Sequence, residues 1–178
     1  HIGCGGVDAK SERISDATAA DALKTACEAS QAVCVSLKKE KKTALPPKLF
    51  DLTSLQREAN RVYGFTAKQT LDYAQSLYEK RFLTYPRTDS NYLTEDMAQT
   101  ATDLAAALLP VLPFMQGAEL MPEIGRVINS AKVSDHHAII PTAAFAGSGF
   151  DGLPESEKKL MSLVCCKLLC AVAAPQEY

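Results

Sequence analysis

Two helix-start signals, with one glycine among the residues between them, constrain the fold of this chain more than any other feature. Thr53-Ser54-Leu55-Gln56 and Thr66-Ala67-Lys68-Gln69 each place a threonine three residues before a glutamine. This spacing is typical of a capping box, in which the two side chains satisfy free backbone N–H groups at the start of a helix. Gly64 lies between them and suits the left-handed position that ends a helix. The pattern predicts helices over 53–63 and 66–80, joined by a tight turn as a helix-turn-helix.

The stretch after the second helix, Thr84-Tyr85-Pro86-Arg87, predicts an extended segment. Pro86 disfavours a helical Tyr85 and has no N–H to donate, so we expect an edge strand or a strand that leaves a sheet, forming a wing beside the two helices. Side chains alternate along a strand, which puts Leu83, Tyr85 and Arg87 on one side. A phenol beside a guanidinium suits phosphate chemistry, because arginine binds phosphate bidentately and stabilises charge as a phenolate attacks. The alternative is a half-buried tyrosine on a strand with a solvated arginine.

The rest of the chain is mostly helical in pattern. Further helices are predicted over 17–29, from Thr94 to Leu109, near 116–121, and from Pro154, as the first helical residue, to about Ala174. A strand is predicted over 31–37 and a turn over 147–152. The predicted fold class is therefore mainly α (α+β), with a winged-helix-like helix-turn-helix and short strands. Two prolines at 46–47 form a stiff connector, and we place a domain boundary there, between 1–49 and 50–178.

Six cysteines are present, yet no two of them form a C-x-x-C pair. Cys165, Cys166 and Cys170 fall in an apolar helical run, which predicts small buried thiols and a reducing, cytoplasmic setting. The sequence has no apolar run of transmembrane length, so we expect no membrane partner.

The net charge of −2 does not by itself indicate a nucleic-acid-binding protein, but cations concentrate in the first half. Six basic and three acidic residues lie between Arg57 and Arg87. Such a distribution permits a local phosphate-binding face, although charge runs are more often solvated surface. In DNA-binding helix-turn-helix proteins the second helix faces the groove. Lys68 and Gln69, at the start of the second helix, are therefore candidate DNA contacts.

His136 and His137 are adjacent, in Asp135-His136-His137-Ala138-Ile139-Ile140-Pro141-Thr142. Adjacent histidines point to different sides and make a poor metal pair. One histidine here could hydrogen bond a phosphate or transfer a proton. The alternative is a capped turn in which Asp135 and His136 satisfy backbone groups.

Taken together, these stretches closely resemble type IA DNA topoisomerases, and they occur in the order of that family. The resemblance rests on 52–60, Gly64-Phe65, Thr70-Leu71, 75–79 and 84–90. The Tyr-Pro-Arg form and residues 136–142 resemble the topoisomerase III branch most. The match covers roughly residues 45–170.

The resemblance implies roles for individual residues. Tyr85 corresponds to the catalytic tyrosine, which attacks single-stranded DNA and forms a 5′-phosphotyrosyl link. Arg87 corresponds to the arginine that holds the scissile phosphate. His136, with His137 as a second residue, corresponds to the histidine that contacts DNA near the tyrosine. Further residues expected at the DNA frame the loop: Thr84, Thr88, Asp89 and Ser90.

The resemblance also implies a larger assembly. The family is toroidal, so residues 1–49 correspond to part of a β-rich hinge domain, and 50–178 to the catalytic-tyrosine domain, whose end near Tyr178 returns to the hinge. The family's Mg²⁺-binding acidic domain has no counterpart in the sequence. We therefore expect a fragment of a longer enzyme, inactive alone, with Mg²⁺ bound outside it and no cofactor within it.

The predicted function is transient cleavage and rejoining of one DNA strand, which changes DNA topology by relaxation or decatenation in the cytoplasm, at the nucleoid. The expected partners are single-stranded DNA and the remaining domains of the enzyme. Two alternatives stay open: a winged-helix DNA-binding module without catalysis, and a purely structural helical domain.

Overall fold

The computed structural model describes residues 2–4, 7–9, 12–31, 33, 36, 38–117 and 119–178, in two compact units, His1–Glu40 and Lys41–Tyr178. In the first unit, β1 (Ile2–Cys4) pairs antiparallel with β2 (Val7–Ala9), and α1 spans Ala17–Glu28. The Asp16 carboxylate caps α1 by accepting hydrogen bonds from the backbone N–H groups of Thr18 and Ala19. The strand predicted over 31–37 falls largely on positions 32, 34, 35 and 37, which lie outside the described residues.

The second unit is mainly helical, as the sequence predicts. Its elements are β3 (Thr43–Ala44), α2 (Leu52–Tyr63), α3 (Ala67–Glu79), α4 (Ala98–Leu108), α5 (Ala143–Ser148), α6 (Glu155–Val172) and β4 (Gln176–Glu177). Single 3₁₀ turns form at Glu95–Met97, Pro113–Met115, Ile124–Arg126 and Ser130–Lys132. β3 pairs antiparallel with β4, which brings the end of the chain back to residues 42–44.

The predicted helix-turn-helix is present as α2 and α3, and one of its two caps differs from the prediction. The Thr66–Gln69 capping box starts α3, and Gly64 ends α2 at φ 71°, both as predicted. The Thr53–Gln56 capping box is wrong, because Asp51 caps α2 with Ser54 as its partner. Two tertiary hydrogen bonds favour the earlier start: Asn91 donates to the Asp51 carboxylate, and the Leu52 N–H donates to the Thr88 carbonyl.

Other boundaries shift slightly. Pro154 is the N-cap of α6 rather than its first helical residue. The 3₁₀ turn at Pro113–Met115 replaces the short helix predicted near 116–121, of which residue 118 lies outside the described residues. The predicted wing strand is reduced to one isolated antiparallel bridge, Leu83 with Pro141.

α6 is the central helix of the second unit and packs against α2, α3 and α4. Half of its residues are buried, so it is apolar around most of its circumference, as expected for a core helix. Of its cysteines Cys165 is buried and Cys166 half-buried, and burial raises the pKa of both thiols. Cys170 is exposed, so the prediction of a buried thiol is wrong there: this position faces away from the packed side of the helix.

Apolar side chains outside the helices complete the core. Phe50, Leu83, Ile139 and Ile140 are each at most 1% exposed. Full burial of such a side chain contributes roughly 1.5–3 kcal/mol. These four residues fix the positions of the segments that carry the predicted site. None of the helices in the described part of the chain has the length and apolar character to cross a membrane.

Candidate active site

Tyr85 lies in a cluster of three aromatic rings. Its ring centroid is 4.3 Å from that of His136 and 5.4 Å from that of Tyr78, which meets it edge to face. Tyr85 is half-buried, whereas His136 is exposed and Tyr78 is 39% exposed. Aromatic pairs at these distances attract each other and restrict ring rotation. The phenol is therefore held in place without being shielded from solvent.

The backbone on both sides of Tyr85 is tied to the histidine segment, and we call the two segments, residues 81–92 and 132–142, the loop pair. The Thr84 N–H donates to the Ile140 carbonyl at 3.0 Å. The Thr84 hydroxyl accepts from the Ile140 N–H at 3.0 Å and donates to the Ala138 carbonyl at 3.2 Å. These three bonds fix the residue directly before Tyr85.

Thr88 and Ser90 continue this pattern on the other side of Tyr85. The Thr88 hydroxyl donates to the His136 carbonyl at 2.8 Å and accepts from the Ser90 N–H at 3.1 Å. The Ser90 hydroxyl donates to the Lys132 carbonyl at 2.8 Å. Thr88 and Ser90 are only 7% and 4% exposed. Their hydroxyls thus bond to the chain itself and hold His136 beside Tyr85.

Two clefts meet at the Tyr85–His136 pair. The tyrosine cleft is lined by residues that include Tyr78, Glu79, Arg81, Thr84, Tyr85 and His137. The arginine cleft is lined by residues that include Thr53, Arg87, Asp89, Asp135 and His136. Each cleft therefore offers one arginine and one histidine, groups that bind phosphate.

The prediction that Leu83, Tyr85 and Arg87 share one side is wrong for Arg87. Leu83, although buried, lines the tyrosine cleft together with Tyr85, whereas exposed Arg87 lines the arginine cleft. The prediction assumed a regular strand, in which side chains alternate. The bridge at Leu83 breaks off before Tyr85, so the alternation is lost.

His137 lies beside the backbone of its neighbour. Its Nδ1 is 2.8 Å from the Ala138 carbonyl oxygen, which accepts only, so Nδ1 carries the hydrogen. In the neutral ring this leaves Nε2 without a hydrogen. His137 Nε2 can then accept a proton, and it can donate to a phosphate oxygen only after doing so.

Lys68 and Gln69 lie at the far end of α3 from the three-ring cluster. Lys68 and Tyr78 are ten positions apart, or about 15 Å along the helix. Lys68 is 84% exposed and pairs with Asp72 at 2.7 Å, a contact that raises the pKa of the lysine. The Gln69 side chain accepts the Thr66 N–H in the capping box. Thus the structure does not bring these two residues together with Tyr85 and His136.

Sequence reasoning missed two residues near Tyr85. Tyr78, in the last turn of α3, contacts the Tyr85 ring from the rim of the cleft. Arg81 lines the same cleft. The signal that could have found them is their position in the last turn of α3 and just after it, close to Tyr85 in the chain.

An ion pair with one buried partner anchors this end of α3. Lys80 Nζ lies 2.5 Å from the carboxylate of Glu157, which is 6% exposed, and the Ser76 hydroxyl donates to the same carboxylate at 2.8 Å. The pair joins the start of α6 to the end of α3. Lys80 itself is exposed, so only removal of Lys80 would leave an uncompensated buried charge, that of Glu157. The Tyr78 ring therefore sits on a firmly held helix end.

Among the residues that the structure describes, no three His, Cys, Asp or Glu side chains cluster closely enough to hold a metal ion. Carboxylate oxygens are the ligands that Mg²⁺ prefers. Among the described acidic side chains, Glu79 lines the tyrosine cleft and Asp89 and Asp135 line the arginine cleft, so neither cleft gathers more than two carboxylates. These residues do not fit a magnesium site.

Comparison with known proteins gives a consistent result. The family model described as DNA topoisomerase matches residues 5–178. DNA topoisomerase 3 from Bacillus licheniformis is 40% identical over 172 residues of alignment, and the match covers 93% of this chain and 23% of that protein. DNA topoisomerase 3 from Shouchella clausii is 38% identical over 175 residues, 94% of this chain and 24% of that protein. The chain thus spans about a quarter of the length of these relatives.

A solved structure agrees in fold. The structure of full-length topoisomerase I from Thermotoga maritima matches with a TM-score of 0.59 at 28% sequence identity. The match covers 96% of this chain and 27% of that one.

Proposed function

This chain belongs to the DNA topoisomerase family, as a type IA, topoisomerase III-like member, and we propose that it supplies the nucleophilic half of the active site of a DNA topoisomerase. The observation that carries the proposal is the half-buried Tyr85 ring, whose centroid lies 4.3 Å from that of His136, with Arg87 in the adjoining cleft. A phenol beside an imidazole, with a guanidinium in the adjoining cleft, suits attack on a phosphodiester.

In the proposed step the Tyr85 phenol loses its proton and its oxygen attacks the phosphorus of one strand. A bond forms between the tyrosine oxygen and phosphorus, and the bond from phosphorus to the 3′ oxygen breaks. The 3′ oxygen takes up a proton, which balances the proton lost by the phenol. The product is a 5′-phosphotyrosyl link. Rejoining is the reverse reaction. An unperturbed phenol has a pKa near 10, so the step requires a group that takes its proton.

Arg87 and His136 are proposed to bind the scissile phosphate. The Arg87 guanidinium is exposed and lines the arginine cleft beside His136, so a bidentate contact to phosphate costs little reorganisation. His136 can donate to the same phosphate, while His137 in the tyrosine cleft contacts a neighbouring part of the strand. Asp89 lies at the rim of the arginine cleft and is proposed to orient Arg87 rather than to contact DNA.

Three predicted DNA contacts acquire a different proposed role. Thr84, Thr88 and Ser90 use their hydroxyls on the loop pair, so we propose that they position Tyr85 and His136. Lys68 and Gln69 stay proposed DNA contacts at the other end of α3, where a strand running along the helix would reach them. Single-stranded DNA is the proposed substrate, recognised through phosphates and stacking rather than base edges.

We propose that the complete enzyme supplies what this chain does not. Mg²⁺ is assigned to residues outside the chain and would stabilise phosphate charge when bound. Residues 1–49 are proposed to belong to the hinge domain and 50–178 to the catalytic-tyrosine domain. The activity then requires the remaining domains, and relaxation or decatenation of DNA at the bacterial nucleoid would be the outcome.

The test is covalent trapping in the complete protein that contains this chain. A labelled single-stranded oligonucleotide should form a denaturant-resistant adduct, and peptide mapping should place it on Tyr85. Tyr85→Phe should abolish the adduct while oligonucleotide binding persists. The matched control is Tyr63→Phe, which removes a phenol hydroxyl from a half-buried ring outside both clefts.

Two results would count against the proposal. An adduct mapped to another residue would remove Tyr85 from the reaction. Binding without any adduct in the wild-type protein would favour a DNA-binding module without catalysis. The 178-residue chain alone is expected to give no adduct, and an adduct there would show that it holds a complete site.

A further inference from the structure

An arginine occupies the position after α3 where a glycine is usual. α2 and α3 both end with a residue in the left-handed conformation, Gly64 at φ 71° and Arg81 at φ 62°. Among the described residues, Arg81 is the only one with positive φ that is not glycine. A side chain in this conformation brings Cβ too close to the following carbonyl oxygen, a strain that glycine avoids.

The hydrogen bonds at the end of α3 fix this conformation. The Arg81 N–H donates to the Tyr78 carbonyl at 2.8 Å, and the Phe82 N–H donates to the Leu77 carbonyl at 2.9 Å. These two bonds form a Schellman motif, with Arg81 at its left-handed position. The Thr142 hydroxyl also donates to the Arg81 carbonyl at 2.5 Å. The backbone of Arg81 is thus held by α3 on one side and by Thr142 on the other.

The side chain of Arg81 is not needed for any of these bonds. All three use backbone atoms, and in the part of the chain that the structure describes the guanidinium forms no hydrogen bond or ion pair. Arg81 is exposed and lines the tyrosine cleft with Tyr85 and His137. The carboxylate of Glu79 lines the same cleft, but it accepts a hydrogen bond from Gln75 at 3.0 Å. A strained backbone at the rim of a functional cleft points to a role for the side chain.

We propose that Arg81 binds a DNA phosphate that flanks the scissile phosphate, on the opposite side of the Tyr85–His136 pair from Arg87. Arg87 lines the arginine cleft with His136 and Arg81 lines the tyrosine cleft with Tyr85, and the rings of Tyr85 and His136 are in contact where the clefts meet. A single strand that crosses the rings places one phosphate in each cleft. Two fixed guanidiniums then hold the strand against Tyr85 from both directions. This inference rests on the proposed function, because it assumes that a DNA strand reaches Tyr85.

The test uses equilibrium binding of a fluorescein-labelled oligothymidylate to the complete protein, in a Tyr85→Phe background that prevents cleavage. Arg81→Asn removes the charge and keeps a residue that tolerates the left-handed conformation. We expect about tenfold weaker binding at low salt. The slope of log Kobs against log salt concentration should become shallower by about 0.7, the value for one phosphate contact to a single strand. Arg81→Lys should retain most of the affinity and most of the salt slope of the parent protein.

The matched control is Arg126→Asn, which makes the same change of net charge on an exposed arginine that lines neither cleft. It should leave the salt slope unchanged. Thermal unfolding should show that Arg81→Asn and Arg81→Gly are no less stable than the parent, because both residues adopt positive φ more readily than arginine. Weaker binding then cannot be attributed to unfolding.

An Arg81→Asn protein with the affinity and salt slope of Arg126→Asn would overturn the phosphate site. This outcome is separable from failure of the proposed function, which is read from the adduct on Tyr85. An adduct on Tyr85 together with an unchanged salt slope for Arg81→Asn would refute the phosphate site at Arg81 and leave the proposed function standing. A shallower slope without an adduct would leave Arg81 as a DNA contact and remove the catalytic role of Tyr85.

Discussion

The helical hairpin α2–α3 and the loop pair are held together by different kinds of contact. The hairpin is defined locally: each of its helices starts with a capping box whose partners are three residues apart. The loop pair is defined by hydrogen bonds between residues 42 to 56 positions apart in the chain. Site geometry should therefore depend on the loop pair more than on the hairpin, and substitutions in the two regions should show this difference.

The largest effect is expected in the loop pair, from Thr88→Val. Valine has the shape of threonine but lacks the hydroxyl that joins Ser90 to His136. The substitution leaves a buried N–H and a carbonyl unpaired, which costs about 2–3 kcal/mol of unfolding free energy. Adduct formation in the complete protein should fall by more than the folded fraction falls, because His136 is no longer held beside Tyr85. Urea unfolding of the chain and the adduct assay measure the two effects.

The control for this substitution is Thr102→Val. Thr102 is half-buried, and its hydroxyl donates only to the carbonyl of Ala98, a residue of the same helix, α4. We expect little change in either measurement. Equal losses from Thr88→Val and Thr102→Val would mean that the hydroxyl of Thr88 has no special part in the site.

A smaller effect is expected in the hairpin, from Thr66→Ala. The Thr66 hydroxyl accepts the Gln69 N–H at 3.2 Å, and loss of such a cap costs about 1 kcal/mol. Adduct formation per folded molecule should stay at the wild-type level, since Thr66 lies at the far end of α3 from Tyr85. Thr66→Ser retains the cap and serves as the control. A loss of adduct as large as that of Thr88→Val would show that the two regions are coupled.

The same contrast explains what could be predicted from the sequence. The hairpin, its glycine end and the Thr66 cap follow from signals within a few residues of each other. The start of α2 was predicted at Thr53 from the spacing of Thr53 and Gln56, a signal within four residues. Contacts from Asn91 and Thr88 select Asp51, and no local pattern reveals them.

The site shows a similar division. Tyr85, Arg87 and His136 were identified through a family resemblance, since a short Tyr-Pro-Arg stretch has little meaning alone. The split of Tyr85 and Arg87 into two clefts was not predicted, because it depends on where the bridge between Leu83 and Pro141 ends. Arg81 was missed because helix-end rules favour glycine at its position, so an arginine there gives no signal in the sequence.

The smallest effect concerns charge on the hairpin surface. The hydrogen bond from Arg61 holds the pKa of Glu58 below its ordinary value of 4.5. The ionised form is therefore favoured in the folded chain, so this stabilisation is present above about pH 4.5 and is lost as the pH falls through the lowered pKa. Glu58→Gln should cost about 0.2–0.5 kcal/mol at pH 7, as for other surface pairs in one helix, and nothing at pH 3. Urea unfolding of both proteins at the two pH values measures the difference, and Arg61→Gln should remove the same pH dependence. A stability difference between wild type and Glu58→Gln that persists at pH 3 would mean that Glu58 acts through packing rather than charge. The loop pair should show no such pH dependence, because the hydroxyls that hold it do not titrate in this range.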